Sequence, residues 1–240
     1  MVMPGPAGGE SMLATLAGGA LGGLALTPFG LAPVGVVIGG LNGAVTGWRQ
    51  VYEWRHRRGV AAFVLDSTWS LPNTAAGLVV LAVGAFGSPG YEPSLSRRQN
   101  RQVHRGGFVV RRGFAMTWGH VVNGAAGRDG VLSARRVRLV TDHEDVHVWQ
   151  ARWLGPLYPV GYVAWALVGG SAAIVRWLAH RDVPLRKALD AWAYYANPFE
   201  WWAYSRDGNW PPSHVEARIV WKRPLVRSLS AKRETRAEPR

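Results

Sequence analysis

SMLATLAGGALGGLALTPFGLAPVGVVIGGLNGAVTGW, Ser11 to Trp48, runs 38 residues without one charged side chain. That is well beyond the ~20 apolar residues a helix needs to cross a bilayer. Thr27-Pro28 and Ala32-Pro33 interrupt the run, so it reads as a short helical hairpin or as one broken helix followed by a full one. Within it, Gly35, Gly39, Gly43 and Gly47 form an unbroken GxxxGxxxGxxxG series, preceded by the pairs Gly18/Gly22 and Gly19/Gly23. Residues i and i+4 share a helix face, so the series predicts a smooth groove into which another helix backbone can settle. The alternative is a flexible Gly-rich linker. Val36, Val37, Ile38, Leu41 and Val45 argue against a linker, and water-soluble helices rarely carry so many Gly at ~1 kcal/mol each relative to Ala. We read a glycine-zipper membrane helix, with membrane lipids as partners and self-association or a larger membrane complex as the use of its groove.

Working outward, Arg49, Arg55, His56, Arg57 and Arg58 follow the run, which by the positive-inside rule places this end in the cytoplasm. Trp48, Tyr52 and Trp54 supply an interfacial aromatic belt. Across the 240 residues, 28 Lys+Arg stand against 15 Asp+Glu, a net charge of +13. That balance invites a polyanion partner. Yet 48% of residues are hydrophobic, only 18% are charged, and 13 are Trp, which does not suit a basic nucleic-acid module, and no nucleic-acid motif occurs. No specific nucleic acid is expected. The Arg residues gather at 49–58, 97–112, 135–138 and 176–186, flanking the uncharged segments, so their charge reads as membrane topology and headgroup contact worth ~1 kcal/mol each. With no Cys, disulfides and thiolate metal sites are excluded, which leaves His and carboxylate as strong ligands.

A second apolar stretch, Gly59 to Gly87, contains the polar break Asp66-Ser67-Thr68-Trp69-Ser70-Leu71-Pro72-Asn73-Thr74. The part beyond it, Ala75 to Phe86, is too short to span alone and reads as a re-entrant helix, a buried helix, or part of a span that includes the polar stretch. Alternating β-branched and aromatic residues in 106–122 suit a hairpin, with Gly113 to Val122 as a strand and His120 within it. A helix follows from near Asp142, which we place as its N-cap. Gly155 to Val175 is uncharged and is the best single-pass candidate of the C-terminal half; residues 177–208 read as helical and aromatic. The expected fold is mainly α with a small β-hairpin or sheet and about two to four membrane helices. We divide it into a zipper segment (1–58), a membrane-associated domain (59–217) and a basic, disordered tail (218–240).

His143-Glu144-Asp145-Val146-His147 is an HExxH motif. Two His at i and i+4 project from one helix face and can share an ion, with Glu144 beside the open coordination position. A solvated helix with two surface His is the plain alternative. A candidate third ligand lies in Asn197-Pro198-Phe199-Glu200-Trp201-Trp202-Ala203, where Asn197 reads as N-cap and Pro198 as the first helical residue. A Glu buried among aromatic side chains needs a partner. A zinc ion is one; an Arg such as Arg152 or Arg206 is the alternative.

HEDVHVWQARWLGPLY followed by NPFEWWAY, with GFAMTWGHVV before it, resembles the gluzincin-type zinc metallopeptidases, and more closely a group of bacterial membrane proteins carrying a DxTWSLPNT segment, a T-x-G strand and an HExxHVxQARxxGPxY helix. The likeness covers roughly residues 60–210. It implies a zincin-like core, zinc held by His143, His147 and Glu200, Glu144 as general base, and Ala203 as the small residue of ExxA. Tyr204 stands where an acidic residue often orients a ligand His, so Asp207 or Asp190 would have to serve instead. Oxyanion candidates are His120, Tyr194, Tyr195 and Tyr204, although a lone strand His such as His120 is more often structural. Asp66 is a candidate support to the site or part of a buried structural turn. The implied function is a peptidase of the bacterial inner membrane, multi-pass or re-entrant, acting on a peptide or protein. The alternative is a non-catalytic zipper subunit of a larger complex, with a structural or vestigial zinc site.

Overall fold

The computed structural model describes residues 6–86, 90–110 and 113–229. It is mainly helical with a small three-stranded sheet among those residues. The chain divides into two compact units, Met1–Pro156 and Leu157–Arg240.

In the first unit the uncharged run forms a hairpin: α1 (Pro6–Leu26), a 3-10 turn (Thr27–Phe29) and α2 (Ala32–Trp48). The glycine groove is filled from within the chain. A Cβ on Gly35, Gly39 or Gly43 would run into the carbonyl oxygen of Gly22, Gly18 or Ala14 respectively, all on α1. Two backbones can lie this close only where the α2 residue at the contact has no Cβ and its partner on α1 is small, Gly18, Gly22 or Ala14. Met12, Leu13, Leu16, Leu24, Val36, Val37 and Leu41 remain exposed on the hairpin.

The aromatic belt is built differently from the expectation. Trp48 is exposed, but Tyr52 is completely buried, packed with Ala14, Ala62, Phe63 and Trp149, and Trp54 Nε1 donates to Glu10 at 2.8 Å. The Tyr52 hydroxyl explains its place, because it donates to Asp66 Oδ2 at 2.8 Å.

Asp66 lies at the end of α3 (Arg57–Ser67), which meets α4 (Leu71–Ala85) at a break bent by 84°. Its carboxylate takes both arms of the fully buried Arg152 guanidinium, Nε at 2.9 Å and Nη2 at 2.7 Å. Removing one member of such a pair strands the other in a low-dielectric interior. Arg152→Met alone is therefore expected to destabilise by about 3–5 kcal/mol, and Asp66→Leu combined with Arg152→Met to recover most of that loss. Chemical unfolding in detergent reads both; a double variant no better than the single would show that the pair contributes more than mutual neutralisation.

The sheet is ordered β1-β3-β2, with β1 (Gln102–Val103) parallel and β2 (Met116–Trp118) antiparallel to β3 (Val121–Asn123). The single strand read over 113–122 is thus a tight hairpin. Gly119, at φ +56°, turns the chain against the Asn73 carbonyl, and His120 sits in the turn instead of in a strand. Helix α5 (Pro93–Ser96) precedes β1.

The next helical run begins earlier than Asp142. Ser133 caps α6 (Ala134–Arg138) by accepting from the Arg136 amide, a π-helical segment covers Leu139–Glu144, and α7 (Asp145–Leu154) continues it. Asp142 is buried inside the π segment and is not a cap. Many arginines expected at headgroups instead tie the unit together: Arg98 to Glu10, Arg101 to Asp145 and Arg105 to Glu92, while Arg136 donates to the carbonyls of Gly113, Gly124, Ala125 and Ala126. Arg111 and Arg112 lie outside the described residues.

The second unit holds α8 (Leu157–His180), α9 (Leu185–Leu189), a π segment (Asp190–Tyr195) and α10 (Pro198–Asp207) around Ala173, Val183, Ala188, Ala191 and Ile219. Residues 218–225, expected in the tail, are held: Trp221 Nε1 donates to the Ala196 carbonyl, and Trp201 Nε1 and Ser205 Oγ bind the backbone of Arg223 and Leu225. Residues 230–240 of the tail lie outside the described residues. Two helical stretches, Ala7–Phe29 and Leu157–His180, are long and apolar enough to cross a membrane, and the bent pair α3–α4 passes the same test jointly.

Candidate metal centre

The HExxH residues fall where the π segment passes into α7. A π turn inserts one residue into the helix and re-aims the side chains that follow, and such insertions recur at functional sites. His143 and His147 are both buried, their rings are edge to face at 5.0 Å between centroids, and their Nε2 atoms stand 3.3 Å apart. Two nitrogens at that separation, each ~2.05 Å from a shared ion, subtend about 107° there, close to the tetrahedral angle. The pair fits zinc.

His147 Nδ1 is 2.9 Å from Gln150 Oε1, one turn on. That contact selects the tautomer with a proton on Nδ1 and leaves the Nε2 lone pair for a metal. Gln150→Leu is expected to weaken metal binding by about 10–100-fold, measured by competition with a chelator; unchanged affinity would remove Gln150 from this role. Glu144 is buried, and its Oε2 accepts from Thr117 Oγ1 at 2.7 Å. Thr117 belongs to β2, an edge strand of the sheet, so the strand and the HExxH helix are joined through the carboxylate itself.

The far end of α7 is fastened by the polar break between α3 and α4. Ser70 Oγ and Asn73 Nδ2 donate to the Ala151 carbonyl at 2.9 and 3.1 Å, Asn73 reaches Gly155 O at 2.7 Å, and Trp69 Nε1 reaches Trp153 O at 3.0 Å. The last carbonyls of a helix have no partner within it, and these side chains supply donors. Gly155 turns at φ +53°, where a Cβ would meet the Trp69 ring at 2.5 Å. The DSTWSLPNT segment therefore serves as the C-terminal mount of the HExxH helix. Asp66 supports that mount through Arg152.

His120 is completely buried; Gln102 Nε2 donates to its Nε2 at 3.0 Å, and its Nδ1 lies 3.9 Å from Asp66. Burial lowers the ring's pKa to about 4, with Asp66 acting in the opposite sense and Arg152 and Arg49 reinforcing the drop. A neutral ring is what an acceptor Nε2 requires.

In the second unit, Asn197 Oδ1 caps α10 by accepting from the Phe199 amide at 3.1 Å, and Pro198 opens the helix. Glu200 sits in the first turn, where the helix dipole favours a carboxylate. It is buried, and its Oε1 accepts from the Tyr162 hydroxyl of α8 at 2.9 Å, while Phe199 stacks on the Tyr162 ring at 7°. Tyr162 holds Glu200 as Gln150 holds His147. Ala203, one turn on, is completely buried. Tyr195 bonds His214 at 2.5 Å and packs against Tyr194 and Tyr204; Asp190 opens the π segment, and Asp207 is buried at the end of α10.

His143, His147 and Glu200 are thus all buried, and each offers an atom of the kind that holds a metal ion. No protein family, curated protein or solved structure matches the chain. Gln150 and Thr117 stand in the HExxHVxQ and T-x-G patterns without a role assigned to them there, and Tyr162 has none either. Their signals are faint: a Gln three residues after a ligand His, a Thr in a strand of alternating character, and a Tyr hydroxyl in an apolar helix that must find an acceptor.

Proposed function

We propose that the chain is a membrane zinc metalloprotein of gluzincin type and hydrolyses peptide bonds, with zinc held by His143, His147 and Glu200. The observation that carries the reading is the close approach of the buried His143 and His147 Nε2 atoms, with Glu144 hydrogen-bonded to an edge strand beside them. Zinc in such a site polarises a substrate carbonyl and lowers the pKa of a water toward ~7. Glu144 takes the water's proton on the oxygen that Thr117 leaves available and returns it to the departing amine. The edge strand β2 offers main-chain groups along which an extended peptide can lie. The broad apolar faces of α1–α2 and of α8, exposed at Leu16, Leu24, Val37, Val163, Leu167 and Val175, support insertion in a bilayer, in our reading the bacterial inner membrane.

Zinc content of the detergent-purified full chain tests this. About one equivalent is expected for the wild type and under about 0.1 for His147→Ala. A wild type without metal, whose ligand substitutions also leave stability unchanged, would favour the non-catalytic subunit.

A further inference from the structure

A cleft of about 630 Å³ opens at the end of the β2–β3 hairpin, lined by Arg105, Val109, Gly113, Phe114, Ala126 and Arg128 among others. Its position follows from the hairpin: Gly113 and Phe114 lead into β2, and Ala126 and Arg128 follow β3. The cleft therefore lies beyond one end of the edge strand whose Thr117 holds Glu144. Thr117 is three positions on from Phe114, roughly 10 Å of extended chain.

The lining has two chemistries. Val109, Phe114 and Ala126 give apolar wall, and two guanidinium groups give charge. Arg105 is engaged by Glu92 through Nε at 2.8 Å and Nη2 at 2.7 Å, so its charge is largely matched. Arg128 is exposed and, among the described residues, has no ion pair or hydrogen bond. The nearby Asp129 carboxylate is turned to the Val131 amide at 3.0 Å. Arg136 is not part of the lining; it donates to the carbonyls of the lining residues Gly113 and Ala126 and so holds the cleft's backbone. An anion carried on an apolar stem fits this lining. A guanidinium with its fork unused is built for a carboxylate.

We infer that this cleft binds a carboxylate of a peptide lying along β2, either an Asp or Glu side chain or the terminal carboxylate, with Arg128 as the residue that sets the preference. The inference rests on the peptidase reading for the peptide's course, but not on hydrolysis. An occupant about three residues from the bond facing Glu144 follows from the spacing of Phe114 and Thr117.

The test uses the full chain in detergent carrying Glu144→Gln, so that peptides are bound and not cut. The probes are dye-labelled, amidated heptapeptides differing at one position, Glu, Gln or Lys, and a Gln peptide with a free terminal carboxylate. The expected result is about tenfold tighter binding of at least one carboxylate-bearing peptide than of the amidated Gln peptide, narrowing with added salt. The two carboxylate probes tell a side chain from a chain end. Adding Arg128→Glu should abolish that preference and favour the Lys peptide. Arg128 is exposed, so its replacement leaves the fold intact, which the unfolding midpoint checks. Equal binding of all four peptides, no binding of any, or a preference untouched by Arg128→Glu would overturn the inference. Cleavage by the wild type separates the two claims: cutting without any Arg128-dependent preference leaves the peptidase reading alone standing, and Arg128-dependent binding without cutting leaves only the cleft.

Discussion

Glu144→Gln is expected to lower peptide hydrolysis by about a thousandfold or more while zinc stays near one equivalent. The carboxamide keeps the shape of the side chain and can still face Thr117, so the hydrogen bond at 2.7 Å between strand and helix has a replacement. What disappears is the proton acceptor of the proposed mechanism, whereas the nitrogens through which His143 and His147 meet are untouched by the substitution. The pairing of the two measurements is what gives the result its force. Loss of both zinc and activity would place Glu144 among the supports of the fold. Retention of full hydrolysis with zinc bound would remove it as the base and, with it, the proposed chemistry.

Gly39→Leu is expected to destabilise the chain by more than about 3 kcal/mol, whereas Gly40→Ala, one residue along the same helix, is neutral or stabilising by up to about 1 kcal/mol. The contrast comes from the α1–α2 seam. A Cβ at Gly39 points into the Gly18 carbonyl, backbone that cannot step aside without unpacking the hairpin. At Gly40 the nearest atom to a new Cβ is the Thr15 carbonyl oxygen at 3.8 Å, which is ordinary contact. Denaturant titration in one detergent reads both. Equal stability of the two variants would mean that α1 does not occupy the zipper groove. Because that groove is filled within the chain, any association with a second copy or another membrane protein would have to use other surfaces or open the hairpin.

Much of the site's machinery was readable one segment at a time. HExxH spacing sets both imidazoles on one helix face whatever surrounds them, and Asn197-Pro198 starts a helix by local chemistry alone, which is where the structure starts it. The GxxxG series announced a close backbone contact because no other use suits that pattern in an apolar helix. The π segments Leu139–Glu144 and Asp190–Tyr195 were not readable, since an inserted residue is stabilised by tertiary packing and leaves no periodic trace. Tyr52 was misplaced for a related reason. Its position beside Trp48 and a basic cluster is that of an interfacial aromatic, and only the Asp66 carboxylate, brought back by α3, draws it inside.

The sequence by itself determined the local elements and the inventory of ligands: uncharged helices, a glycine face, two His and a Glu at the right intervals, and no thiol. Those depend on periodicity, capping and composition, which act over a few residues. The tertiary structure decided the partners. It put α1 in the zipper groove, turned Asp66, Ser70 and Asn73 from candidate chemistry into the mount of the HExxH helix, and gave Glu144, His147 and Glu200 the side chains that hold them. It also turned arginines that read as membrane anchors into ion pairs and carbonyl clamps. A buried polar group must find its complement, but the complement lies tens of residues away, and only the folded chain specifies which one it meets.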